Sequence, residues 1–471
     1  MIRKLFFQLI VICLMPWVVN AQTSTTPTSL SFSQYLQIVR TFHPVMREAA
    51  IEVEMAQGDI LKANGAFNPI ISAEMGQKVL AGTQYYSYAN PTVTWPVWFG
   101  AEIVAGTERW QGDRLEVGQT KGDISYLGVS LPLLKDLLMD KRRAYLQQAR
   151  VMRSMAKSQQ QILVNDIMFE AIEAYIKWLE AYQSVQAIQQ LVNVNQERVR
   201  QIKAIWQSGE RAAIDTTEAY TQLQSMLLMQ NDYEVKWIQA GYALSAFLWK
   251  EKNEPQVLPE DVIPDNNAWS FDETALEGLV TEYLHQVDDR HPYLQWYQQK
   301  INWQRIDKKL KFQELLPKLN VQYNQLSKSA SFSGIGNMNQ FLDNNYKYGI
   351  KFETPLLFSN GRASYRIAKL KLEQLQLNEA QKKMELQVKL KQYFAAYSNL
   401  KKQLVIQTGQ VENFRKLVQA EENRFSQGES SLFLMNSREN KLIENMIKQV
   451  ELNAKKLKSA YSILWAAGTL Q

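Results

Sequence analysis

The sequence holds very few of the residues that carry out chemistry: one cysteine and three histidines among 471 residues. Cys13 falls in a segment expected to be removed, which would leave the mature chain without a disulfide or a thiolate nucleophile. His43, His285 and His291 have no metal-binding H-x-x-x-H or H-E-x-x-H spacing. No G-x-x-x-x-G-K-[ST], G-x-G-x-x-G after a strand, or G-x-S-x-G occurs, so phosphate-cradling and serine-hydrolase chemistry find no support. No catalytic residue, cofactor or metal is expected. Proline is missing from 133–254 and again from 356–471, windows of 122 and 116 residues open to long helices. Charge of one sign is not in excess: 53 basic against 47 acidic residues give +6, without a long basic block, and no nucleic acid is expected as a partner. What is plentiful is apolar and aromatic surface, 46% and 11% of the chain, too much for a disordered protein.

The one sustained hydrophobic run is N-terminal. Arg3 and Lys4 precede Leu5 to Leu14, and Val19-Asn20-Ala21 closes the stretch. A charged start, a short apolar core and a small residue at its end predict a signal peptide over 1–21, cleaved after Ala21. Ile12 directly before Cys13 is unsuited to lipoprotein processing. Loss of Arg3 and Lys4 would lower the net charge to +4. Elsewhere no stretch reaches the ~20 apolar residues of a spanning helix, so an exported chain is either soluble or a barrel.

The remainder is written twice. Prolines 44 and 69 recur as prolines 292 and 317, both pairs 25 apart. Ser130-Leu131-Pro132-Leu133-Leu134 is answered by Glu353-Thr354-Pro355-Leu356-Leu357, Arg143-Ala144 by Arg362-Ala363, and Ser208-Gly209-Glu210 by Gln427-Gly428-Glu429. The offset shrinks by 25 between Pro69 and Pro132, so the first copy carries a longer Gly- and aromatic-rich stretch there.

Each copy changes period twice. A mostly helical stretch follows each His-Pro, and alternation then takes over. Leu319, Val321 and Tyr323 interleave with Asn320, Gln322 and Asn324, as Tyr346, Tyr348, Ile350 and Phe352 do with Lys347, Gly349, Lys351 and Glu353. One apolar face and one polar face suit a barrel strand between lipid and water. Ile70 to Met75 and Ile124 to Leu131 are the less regular strands of copy one, and Ser327 to Asn345 reads as a polar loop. Tyr85, Tyr86, Tyr88, Trp95, Trp98, Phe99 and Trp110 are expected as an interfacial aromatic girdle, or else as the core of a small soluble β-subdomain.

Long helices follow. Asp140 to Ser208 lacks Gly and Pro for 69 residues, on the order of 100 Å if continuous. Met168, Ile172, Tyr175, Leu179, Tyr182, Val185, Ile188, Val192, Asn195, Val199, Ile202 and Trp206 are spaced by threes and fours, and so are Leu386, Leu390, Tyr393, Tyr397, Leu400, Leu404, Gln407, Val411, Phe414 and Val418. Gly209 and Gly428 stand where left-handed terminators are needed before the returning helices. The resulting division is a leader over 1–21, repeat 1 over 22–252, a linker over 253–270 and repeat 2 over 271–471. Repeat 1 comprises a helix, a β-hairpin at about 68–132, a long helix at about 135–208 and a returning helix at about 212–250. Repeat 2 has a helix, a hairpin at about 317–355, a long helix at about 361–427 and a returning helix at about 430–466.

Four strands per chain cannot close a barrel, and open edges are not tolerated in lipid, so oligomerisation is required. The tandem copies, the His-Pro helix starts, Pro at strand entry, SLPLL and TPLLF at strand exit, the 69-residue tract and the SGE and QGE turns together resemble the TolC-like outer membrane factors over essentially the whole mature chain. The resemblance implies an α+β membrane protein. It would be a homotrimer with a 12-stranded outer-membrane β-barrel, four strands per chain, continued by a roughly 100 Å periplasmic α-helical barrel of a Gram-negative bacterium. An equatorial belt from Gln22 to Ser31, Lys250 to Ser270 and the last residues is implied with it. So is a passive role in efflux or secretion beside a periplasmic adaptor and an inner-membrane transporter. His43 and His291 stand where the family more often has Asn, and the plain reading of both is a helix start with Pro at N1. The resemblance further implies an aperture near the turns, with Asp215 in one copy and Leu434 at the equivalent place in the other. Gly209, Glu210, Gly428 and Glu429 are the expected adaptor-docking turns. Asp215 is equally open to a plain reading, a helix-start acid.

Two rival classes stay open. An exported coiled-coil or surface protein without transport activity would share the helices and the leader, yet would not need alternating hairpins at matched positions. A secreted enzyme would need paired acids such as Asp288-Asp289 to converge, but adjacent helical residues point apart.

Overall fold

The structure, a computed structural model, describes residues 29–115, 121–265, 276, 278, 290–327 and 345–470. The expected leader, the Asp288-Asp289 pair, His285 and nearly all of the polar loop after Ser327 lie outside the described residues, as do 22–28 and 266–270 of the expected belt.

Two short helices open the chain, α1 (Phe32–Phe42) and α2 (Pro44–Gly65). Ser31 starts α1 with a complete capping box, its side chain accepting from Gln34 N–H while the Gln34 side chain accepts from Ser31 N–H. The next region is all strand: β2 (Ile70–Leu80), β3 (Thr83–Pro96), β4 (Glu102–Gln111) and β5 (Gly122–Pro132), preceded in the chain by the two-residue β1 (Ser29–Leu30). The long helix α3 (Lys141–Gln207) is capped by Asp140, whose carboxylate accepts from Arg143 N–H, and α4 (Ala213–Ser245) returns. Three two-residue strands follow, β6 (Trp249–Lys250), β7 (Glu254–Pro255) and β8 (Ile263–Pro264). The order then recurs with α5 (Pro292–Gln313), β9 (Lys318–Ser327), β10 (Tyr346–Glu353), α6 (Ser359–Ser426) and α7 (Leu432–Ala467).

The main sheet has six strands in the order β10-β9-β5-β4-β3-β2, every pair antiparallel. This corrects the expectation of four strands per chain. The stretch 68–132 holds two hairpins rather than one, the second formed by the longer insert of the first copy. Three of the seven expected girdle aromatics depart from that expectation: Tyr86, Tyr88 and Trp110 lie on the polar face of the sheet, in register with Lys78, Gly76 and Gly122, and Tyr88 stacks on Trp110 at 4.8 Å, whereas Trp95 lies on the apolar face.

The core lies midway along the helices. Tyr35 and Val39 of α1, Tyr175, Trp178 and Leu179 of α3, Leu244 of α4 and Leu457 of α7 form one cluster. Tyr35 O–H donates to Ala171 C=O and Tyr175 O–H to Leu30 C=O, which satisfies both buried hydroxyls. β1 pairs in parallel with β8 beside α3, so the described parts of the expected belt meet here. Of the stripe on α3, Met168, Ile172, Tyr175, Leu179, Val185, Ile188, Val192, Asn195 and Ile202 are buried, while Trp206 at its far end is 42% exposed.

Both His-Pro pairs are helix starts. His43 Nδ1 accepts from Val45 N–H and His291 Nδ1 from Tyr293 N–H, each with proline in the first turn. The end of a returning helix packs on each: Phe247 and Trp249 on the ring of His43, Gly468 on His291-Pro292.

Candidate functional site

Two regions are built for function, the sheet and the far helical tip. Antiparallel register fixes the two faces of the sheet. Trp95, Ile103, Val129, Tyr323 and Tyr348 form one cross-strand row, and Ile71, Val93, Ala105 and Leu127 another. Leu131, Val321 and Ile350 make a third. Much of this face is open to solvent in the single chain; Ile71 is 79% exposed and Ile350 66%. In water such a patch would be costly, at about 25 cal/mol per Å² of apolar area.

The opposite face is polar, with Glu74, Lys78, Asn90, Thr92, Thr94, Glu108, Asn320, Gln322, Asn324 and Lys347. Three of its glycines lie opposite bulky partners: Gly76 under Tyr88, Gly106 under Tyr126, and Gly128 under Asn324. A Cβ at Gly106 would lie 2.6 Å from the Tyr126 hydroxyl, so glycine leaves room on the polar face for the ring of its cross-strand partner.

At the tip the two turns are built alike. Gly209 (φ 83°) donates to Trp206 C=O and Glu210 to Ile205 C=O; Gly428 (φ 78°) donates to Phe425 C=O and Glu429 to Arg424 C=O. Each is a Schellman termination, and left-handed φ explains why glycine is required although a Cβ would meet nothing within 4 Å. Glu210 and Glu429 are both exposed.

Asp215 sits in the first turn of α4 and accepts from Arg211 Nη1 at 3.4 Å. Leu434 lies in the first turn of α7, where its N–H donates to the Ser431 cap, and its side chain is half-buried. Arg211 is one residue that sequence reasoning missed. Its guanidinium stacks 4.0 Å above the Phe425 ring and its Nη2 donates to Phe425 C=O, fastening the first turn to the second long helix. On the other side, Ser430 donates to the buried carboxylate of Glu421.

One to three turns further from the tip, a polar seam joins the helices. Arg198 of α3 makes a two-point bond with Glu439 of α7, both almost fully buried, and Asn195 donates to the same carboxylate at 3.2 Å. Gln222 of α4 donates to Asn440 at 2.9 Å, and Asn436 to Glu218 at 3.5 Å. The one sequence signal for this seam was Asn195 inside an otherwise apolar stripe. Among the described residues no group of histidines, cysteines and acids is arranged to hold a metal, and no helix is long and apolar enough to cross a membrane.

Residues 283–468 match the family model "Outer membrane efflux protein". No curated protein matches the chain by sequence. Among solved structures, the outer-membrane channel OprN superposes with a TM-score of 0.63 at 14% identity, covering 93% of this chain and 89% of that one. The Campylobacter jejuni CmeC outer membrane channel gives 0.62 at 12% identity, covering 93% and 85%. The open state of the Neisseria gonorrhoeae MtrE outer membrane channel gives 0.63 at 12%, covering 93% and 89%. With this fold over nine-tenths of its length and a family-model match over residues 283–468, the chain is similar to the outer membrane efflux protein family and to solved outer-membrane channels that share its fold.

Proposed function

We propose that the chain is the outer-membrane duct of a tripartite efflux or secretion system, and that it works as a homotrimer. The observation that carries this is the sheet: one face with rows of exposed apolar side chains running across all six strands, one polar face, and two unpaired edges at β2 and β10. In lipid an unpaired edge leaves N–H and C=O groups without partners, so copies must close on one another. The helices continue below the sheet as the wall of a periplasmic passage. Transport is passive, with no catalytic residue: a periplasmic adaptor and an inner-membrane transporter deliver the cargo, and the polar inner face lets it leave.

The tip is where the duct is gated and met. Gly209, Glu210, Gly428 and Glu429 form the rim offered to the adaptor, and Asp215 and Leu434 line the aperture inside it. Parting of the helices at the polar seam opens the passage. An exported coiled-coil protein without transport activity would leave the apolar face of the sheet in water, which disfavours that reading. Outer-membrane fractionation followed by gel electrophoresis without heating tests the proposal. An SDS-resistant, heat-modifiable trimer is the expected result, and a soluble monomer would sink the duct reading.

A further inference from the structure

We infer that each copy places all six strands in the membrane wall, so that three copies close an 18-stranded barrel rather than the twelve strands implied by the family resemblance. The inference rests on the trimeric duct reading and adds to it the size of the outer-membrane opening. Barrel diameter grows roughly linearly with strand number, so the lumen would be about 1.5 times as wide and would pass cargo of larger cross-section.

Four observations put the extra hairpin, β3 and β4, in the wall. First, its strands are 14 and 10 residues long, enough for the 9–11 or so that a tilted strand needs to span. Second, in its half nearer the helices the hairpin carries the apolar face: Val93 and Trp95 of β3, with Ile103 and Ala105 of β4, continue the rows from Ile71 of β2 to Leu127 and Val129 of β5, while Arg109 pairs with Asp123 on the same face toward the far end. A hairpin folded out over the extracellular mouth would have no use for a lipid face at the same level.

Third, its lower turn is anchored at the base of the barrel. Gly100 (φ 96°) lies against Arg143, a Cβ there meeting Arg143 Nη2 at 2.8 Å, and Glu102 bonds Arg142 at 2.9 Å. Arg142 and Arg143 both bond Asp140, the cap of α3, so the turn of the hairpin sits at the level where strands give way to helices. Fourth, the sheet curls with its polar face inward. Lys347 of β10 reaches Glu108 of β4 at 3.5 Å although β9 and β5 lie between them, a backbone separation of roughly 14 Å on a flat sheet.

The two edges also suit closure. β2 leads away from the helices and β10 returns to them, so β10 of one copy and β2 of the next are antiparallel. Six strands per copy keep the total even and the alternation unbroken around the ring.

The mature chain is free of cysteine once the leader carrying Cys13 is removed, so single cysteines can be placed cleanly. Spin labels at Val93→Cys and Ala105→Cys should collide with oxygen in the bilayer, as labels at the reference sites Val129→Cys and Ile350→Cys do. Labels at Thr94→Cys and Val104→Cys, on the opposite face, should meet a water-soluble nickel chelate instead. The probes are read in proteoliposomes containing the purified SDS-resistant trimer. If all four hairpin labels are water-accessible while 129 and 350 face lipid, the hairpin lies outside a 12-stranded wall; the inference fails and the duct reading stands. If the labels at 129 and 350 also face water, or no trimer forms, both fall.

Discussion

At the scale of single residues, His291 shows what burial does to a titratable cap. Its Nδ1 accepts the Tyr293 N–H, which leaves the proton on Nε2 to donate to Ala466 C=O at 3.2 Å. Burial first, and the Lys382 charge as a lesser cause, outweigh the Ala466 bond and lower its pKa to about 4. A native pKa below the unfolded one means that the unfolded chain binds more protons between about pH 6.5 and 4. Stability contributed by the neutral ring is therefore complete above pH ~6.5 and is lost as pH falls toward about 4. His43 is lowered in the same direction by burial. Thermal unfolding of the trimer across this range should show the loss, and His291→Asn, which keeps a capping oxygen but cannot titrate, should flatten the profile.

The buried Arg198–Glu439 pair is a second single-residue lever. Glu439→Ala would strand a charge away from water and should cost roughly 3–5 kcal/mol, read as a lower denaturant midpoint and lost hydrogen-exchange protection near the tip. Arg198→Met combined with Glu439→Leu should recover most of it, because no buried charge is then left alone. For the aperture, Asp215→Asn should weaken cation preference in a single-channel reversal potential. An unchanged potential would mean that Asp215 serves only its helix start and its bond to Arg211.

At the scale of elements, the two tip turns invite a sharper test. Gly428→Ala should cost about 1 kcal/mol through its left-handed φ alone, since its surroundings are open. Gly428→Trp should leave the trimer assembled yet abolish adaptor cross-linking and export. Retained export with tryptophan at both Gly209 and Gly428 would rule out docking at the rim. These turns were legible in the sequence because glycine is the residue that such a backbone needs, and the helical stripes were legible because apolar side chains recur on one face. The β3–β4 hairpin was not. In its half far from the helices, the face that is apolar elsewhere carries Ala89, Pro91, Thr107 and Arg109 while the polar face carries Tyr86, Tyr88 and Trp110, so the usual contrast between apolar and polar positions is nearly inverted there. Arg211 on Phe425 and Arg198 on Glu439 were invisible for another reason. Each pair joins residues more than 200 positions apart, and no local periodicity encodes such a meeting.

At the scale of the whole molecule, the middle of α3 gathers residues from both ends of the chain. Leu30, near the start, accepts from Tyr175, and Leu470, near the end, donates its N–H to Asn165, which itself donates to Trp465 C=O. The Trp465 indole N–H reaches Asp166 at 2.7 Å. A chain emerging from its export machinery start first cannot complete this knot until residues 465–470 have crossed. The knot thus serves as a completeness check: a chain stopped early has its long helices but lacks the clasp that joins them. Deleting residues from Gly468 onward should leave the helical content nearly unchanged while exposing the centre of α3 to limited proteolysis, and few such chains should reach the membrane.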